Sequence, residues 1–109
     1  MKPHIGKVAP VERPPYNDII WSGDTKTEVP APVIQTYAID VHDSSGSIRA
    51  FDAEVRQSPH GEQIDWDDDL DDYLFAIAST QEAEELRQEI NRRINEARGD
   101  RNPTAEPTN

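Results

Sequence analysis

Cysteine is absent from this chain, which excludes a disulfide framework, a thiolate metal site and a thiol nucleophile together. Stability must come from packing or from a partner. Aromatic residues make up only 6% and hydrophobic residues 34%, below the ordinary apolar share, so 109 residues of this composition support one modest core. No run approaches the roughly 20 apolar residues of a membrane span, and no apolar signal-peptide core opens the sequence. A soluble, cytoplasmic protein is expected. Basic residues are scarce as well, 11 Lys and Arg against 22 Asp and Glu, for a formal net charge of -11. That balance argues against direct binding to nucleic acid or to a membrane, both of which use Lys and Arg to neutralise phosphate. It points to a basic protein as partner.

The surpluses lie at opposite ends. Residues 1–32 contain Pro3, Pro10, Pro14, Pro15, Pro30 and Pro32. Proline has no backbone N–H and drives its predecessor toward extended conformations, so this segment is predicted to be an extended Pro-rich arm, with a short edge strand near Asp18–Trp21. Its apolar residues, among them Ile5, Val8, Ile19, Ile20 and Trp21, suit contact with the chain's own core or with a partner.

From residue 33 the pattern changes. Val33, Tyr37, Ile39 and Val41 share one side of a period-two alternation, with Gln35 as the exception, and Thr36, Ala38 and Asp40 face the other way. A turn cluster at Asp43–Ser47 follows, and Arg49, Phe51, Ala53 and Val55 alternate with Ile48, Ala50, Asp52 and Glu54. Residues 33–56 therefore read as a β-hairpin. Beyond the break at Ser58-Pro59-His60-Gly61, Trp66, Leu70, Tyr73, Leu74 and Ile77 recur at helical spacing, predicting a helix over about 66–78. Ser79 and Glu82 have the form of a capping box, and Ala83, Leu86, Ile90, Ile94 and Ala97 mark a second helix over 80–98, closed by Gly99 as a C′ residue. The expected fold is α+β: a small antiparallel hairpin or sheet over 33–98 packed against two C-terminal helices, preceded by the arm and followed by a disordered tail over 99–109. The narrow stripe of the second helix would also suit a homodimer seam.

Carboxylates are the candidate functional groups. Between Glu62 and Leu86 stand ten acids and no Lys or Arg. Capping and the helix dipole use one or two aspartates in the first turn; Asp65, Asp67, Asp68, Asp69, Asp71 and Asp72 exceed that use, because neighbouring like charges repel and Asp is a poor helix former. Phe75 falls off the apolar stripe and inside this field, where an exposed aromatic could anchor an interface. On the second helix Glu82, Glu85 and Glu89 continue the acidic surface toward Glu96. The expected partner-binding residues are Asp67, Asp68, Asp69, Asp71, Asp72, Phe75, Glu82, Glu85 and Glu89.

An EF-hand reading of Asp65, Asp67 and Asp69 fails because Leu70 replaces the turn glycine and Ala76 the bidentate glutamate. No metal and no cofactor are expected. His4, His42 and His60 lack metal-ligand spacing, His42-Asp43-Ser44 is a turn sequence, and no glycine-rich phosphate loop occurs, so enzymatic activity is not expected. In general character, short length with acidic helices on a minimal sheet resembles the small inhibitors encoded by phages and mobile elements that mimic DNA. That resemblance implies an inhibitor that occupies a basic, nucleic-acid-binding surface of a host protein. The alternative is an adaptor or assembly factor that joins a protein complex through the N-terminal arm and the hairpin edge.

Overall fold

The hairpin expected over 33–56 forms, as strands β4 (Val33–His42) and β5 (Ile48–Ser58), with the register Tyr37↔Ala53, Ile39↔Phe51 and Val41↔Arg49. Its turn is set by Asp43, whose Oδ1 accepts from the Ser45 and Ser47 amides at 2.9 and 3.0 Å, while Gly46 takes a φ of 93° that a side chain would resist. Tyr37, Ile39, Val41, Phe51, Ala53 and Val55 are all buried, as the alternation requires. Gln35 departs from it because the pairing slips between Val33 and Gln35, leaving its amide to bond the carbonyls of Val11 and Thr36 at 3.0 Å each.

Residues 2–99 are described by the computed structural model, and they hold more sheet than a hairpin. Strand β6 (Gly61–Trp66) folds back on β5 through a tight turn at Gly61, φ 113°, so that Ile64 meets Val55 and Trp66 meets Ala53. The helix expected from about 66 therefore starts later, as α1 (Asp68–Ile77), with Trp66 belonging to the strand and Asp67 at the N-cap. Trp66 and Leu70 satisfy a helical and a strand period equally, and pairing with β5 decides for the strand. Helix α2 (Thr80–Gly99) begins with the expected capping box: the Ser79 amide donates to Glu82 Oε1 and the Glu82 amide to Ser79 Oγ, both at 3.2 Å. Gly99 is the last residue of that helix and does not adopt the left-handed conformation of a C′ glycine. The tail expected beyond it lies outside the described residues.

The segment 1–32, expected to be an extended arm with a short edge strand near Asp18–Trp21, contains that strand and two more. Its first part is strand β1 (His4–Val11), antiparallel to β4 with Ile5↔Val41 and Val8↔Ile39, and Ile5 is buried in the core. The rest is a separate two-stranded sheet, β2 (Asn17–Ser22) and β3 (Thr25–Pro30). The prolines punctuate these strands without abolishing them. Pro10 sits on an edge strand, where a missing N–H is tolerated, Pro14 and Pro15 link β1 to β2, and Pro30 and Pro32 flank the exit from β3.

The main sheet runs β1-β4-β5-β6, antiparallel throughout, and two helices cover one face. Leu70 and Leu74 from α1 and Ala83, Leu86, Ile90 and Ile94 from α2 join the strand residues in one buried cluster. The α2 stripe that would have served a homodimer seam is thus occupied within the monomer. Arg93 Nη2 donates to Gly6 O on β1 at 2.6 Å, and Arg98 pairs with Glu62 on β6, tying α2 to both edge strands. Among the described residues no helix is long and apolar enough to cross a membrane.

Candidate functional site

The acidic run does not stay on one helix. Because Phe51, Ala53 and Val55 point into the core, Asp52, Glu54 and Arg56 lie on the sheet face away from the helices. Asp65 on β6 stands directly opposite Glu54, a like-charged cross-strand pair that opposes folding. Asp67 and Asp69, at the entry to α1, adjoin the same field: burial pushes the Asp67 carboxyl above the usual range, and the charges of Asp69, Glu54, Asp52 and Asp65 push it further. Three elements thus converge on one carboxylate surface. Arg13 pairs with Asp52 at 2.8 Å and Arg56 with Glu54 at 3.0 Å. Asp65, Asp67, Asp68, Asp69 and Asp72 are exposed and form no ion pair or side-chain hydrogen bond among the described residues.

The raised Asp67 carboxyl has a direct consequence for stability. An acid whose folded-state value is raised binds protons more readily in the native state. Its destabilising charge is therefore fully felt above the folded value and disappears below the ordinary aspartate value. Asp67→Asn keeps an N-cap residue and should raise the melting temperature at neutral pH, with the gain shrinking as pH falls through this window. Equal effects at pH 7 and in mild acid would show that the local field is not the cause.

Other expected site residues have internal duties. Asp71 clasps three elements: its Oδ1 accepts from Trp66 Nε1 at 3.1 Å and lies 3.1 Å from Arg87 Nε, while the Arg87 guanidinium sits 5.9 Å from the Trp66 ring centre. Glu82 serves the capping box. Glu89 accepts from Arg92 at 2.5 Å and Arg93 at 3.3 Å, and the Arg92 bond leads in holding its carboxyl below the usual range. Glu82, Glu85 and Glu89 do share one groove, about 220 Å³, whose other wall is Lys2–Ile5. Phe75 is exposed at 41%.

The edge strand expected near Asp18–Trp21 is present within β2, but its partner β3 and the hairpin they form were not read from the sequence. Gly23 takes φ 61° at the first position of its two-residue turn, as a type II′ turn demands. Ile19, Ile20 and Trp21 are at least half exposed, Trp21 at 65%. The hairpin is pinned at its base: Arg56 pairs with Asp18, Tyr16 Oη donates to Glu54 at 2.6 Å, and the Ala31 amide donates to Tyr16 O at 3.0 Å. A cleft of about 380 Å³ opens there, between residues 11–16 and 31–36. The alternation of Ile19 and Trp21 with Ile20, ahead of Ser22-Gly23-Asp24, was the available signal.

His42 stacks on His4 with ring centres 4.5 Å apart, and Asp43 serves the turn with Ser45 and Ser47. Among the described residues no three His, Asp or Glu side chains are grouped to hold a metal ion. The chain matches no family model, no curated protein and no solved structure.

Proposed function

We propose that this protein is a non-enzymatic binding module whose carboxylate surface engages a basic protein, in the manner of an inhibitor that occupies a nucleic-acid-binding surface. The observation that carries this reading is the convergence of acids from β5, β6 and α1, with Glu54 facing Asp65 and four more aspartates, Asp67, Asp68, Asp69 and Asp72, also left without partners among the described residues. Such an arrangement costs stability and contributes nothing to the core. Local rules broken without structural benefit are where function is expected. A phage or mobile-element origin would suit such an inhibitor.

The test replaces Asp65, Asp68 and Asp69 by asparagine, sparing Asp71 and the Glu82 cap because these hold the fold. Partners captured from lysate by the parent chain should bind the triple variant about tenfold more weakly. Binding by the parent should fall as salt rises from about 0.05 to 0.5 M, since the Debye length shrinks several-fold. Equal binding by parent and variant at every salt concentration would remove the acidic-surface reading.

The exposed β2–β3 hairpin favours a second reading, an adaptor that docks through this element and uses its acidic face for solubility. On that reading Trp21→Ser abolishes capture and the asparagine variant does not.

A further inference from the structure

A two-stranded ribbon is marginal in water and leaves unpaired backbone groups on both edges. In the β2–β3 hairpin the pair Ser22↔Thr25 closes a two-residue turn and is therefore a hydrogen-bonded pair. Alternation along the ladder then makes Ile20↔Thr27 and Asp18↔Val29 hydrogen-bonded, so that Thr25, Thr27 and Val29 turn their backbone groups toward β2. Lys26 and Glu28 turn theirs outward, to the free edge of β3. Asn17↔Pro30 falls in a non-hydrogen-bonded pair, consistent with a residue that has no N–H to give.

We propose that this edge pairs with the same edge of a second copy of the chain, antiparallel about a two-fold axis at Thr27. In that register Lys26 faces Glu28 of the second copy and Glu28 faces its Lys26. Each pair exchanges two backbone hydrogen bonds and places opposite charges directly across from one another. The neighbouring antiparallel registers are excluded by charge: a shift of two residues sets Lys26 against Lys26 or Glu28 against Glu28. Self-complementarity of this kind is what an isologous interface requires. The product is a four-stranded sheet, β2-β3-β3-β2, in which the Ile20 and Thr27 side chains of both copies form one row. Lys26 and Glu28 side chains are about half exposed, and their mutual contact at 3.9 Å is loose enough to be exchanged for the intermolecular pairs.

Sedimentation equilibrium and native mass spectrometry of the full chain test the proposal. They are to be run in about 0.15 M salt, where the Debye length of about 8 Å screens the bodies' net charge. The expected result is a monomer–dimer equilibrium from micromolar to near-millimolar chain. Lys26→Glu or Glu28→Lys alone should weaken association by at least about tenfold, because each turns two attractive cross-strand pairs into repulsive ones. An equimolar mixture of the two single variants should restore a heterodimer, and the double exchange Lys26→Glu with Glu28→Lys should restore the homodimer. A parent chain that is monomeric throughout overturns the proposal. So does a dimer indifferent to Lys26→Glu, or a variant mixture that fails to associate.

Discussion

Leu74→Ala is expected to lower the stability of the chain by about 2–5 kcal/mol, against the roughly 5–15 kcal/mol that holds an ordinary domain folded. Leu74 is fully buried between α1 and the rest of the core, and only Leu70 on the same helix is buried as deeply. Ten residues do not sustain a helix in water by themselves, so α1 exists because these two leucines dock it. The first turn of α1 carries Asp68, Asp69 and Asp71, whose mutual repulsion works against the helix and raises the demand on that docking. Urea unfolding measures the loss. A change below about 1 kcal/mol would mean that α1 does not depend on the core for its place.

Arg56→Ala should cost about 1–3 kcal/mol, concentrated in one region. Arg56 Nη1 donates to Tyr16 Oη and to Glu54 at 3.0 Å each, and Nη2 pairs with Asp18. Burial disfavours its charge, yet the Glu54 bond and the Asp18 pair outweigh that and hold its pKa above the ordinary value. Without it, Glu54 faces Asp65 across the strands with no cation beside it, and the base of the β2–β3 hairpin loses its main tie. Amide exchange should accelerate over residues 17–30 while β4 and β5 keep their protection. Arg56→Lys should recover only part, because an ammonium does not reproduce the guanidinium's forked contacts. Unchanged exchange in the hairpin after Arg56→Ala would show that the Tyr16–Glu54 and Tyr16–Ala31 bonds hold its base without Arg56.

The hairpin at 33–56 and the second helix were legible because their signals are local and redundant: alternation with a glycine-bearing turn in one case, a capping box and a four-residue apolar stripe in the other. β6 was hidden by overlap, since Trp66 fits the periods of the strand before it and of the helix after it, and only pairing with β5 separates the two. Near Asp18–Trp21 the strand β2 was legible, but β1 and β3 were hidden by proline, which excludes helix and central strand but permits an edge strand such as β1 and a ribbon such as β2–β3. For the acidic surface, composition identified the aspartates of 65–72 but not their company. Asp52 and Glu54 reach the field through strand register, a non-local property. Nor does spacing reveal that Asp71 answers to Trp66 and Arg87.

The register Val11↔Thr36 places the end of β1 beside the start of β4, so residues 12–32 leave the main sheet and the chain returns to nearly the same point. In topological terms they are an insertion within a hairpin. Closing that excursion costs only about 1.6 kcal/mol more than closing a turn of about four residues, because loop entropy grows with the logarithm of length. The β4–β5–β6 meander can therefore form first from contacts near in sequence, with β1 joining afterwards, and the excursion imposes little delay on either step. The same decoupling lets the tip of the excursion change in length while the core residues stay as they are.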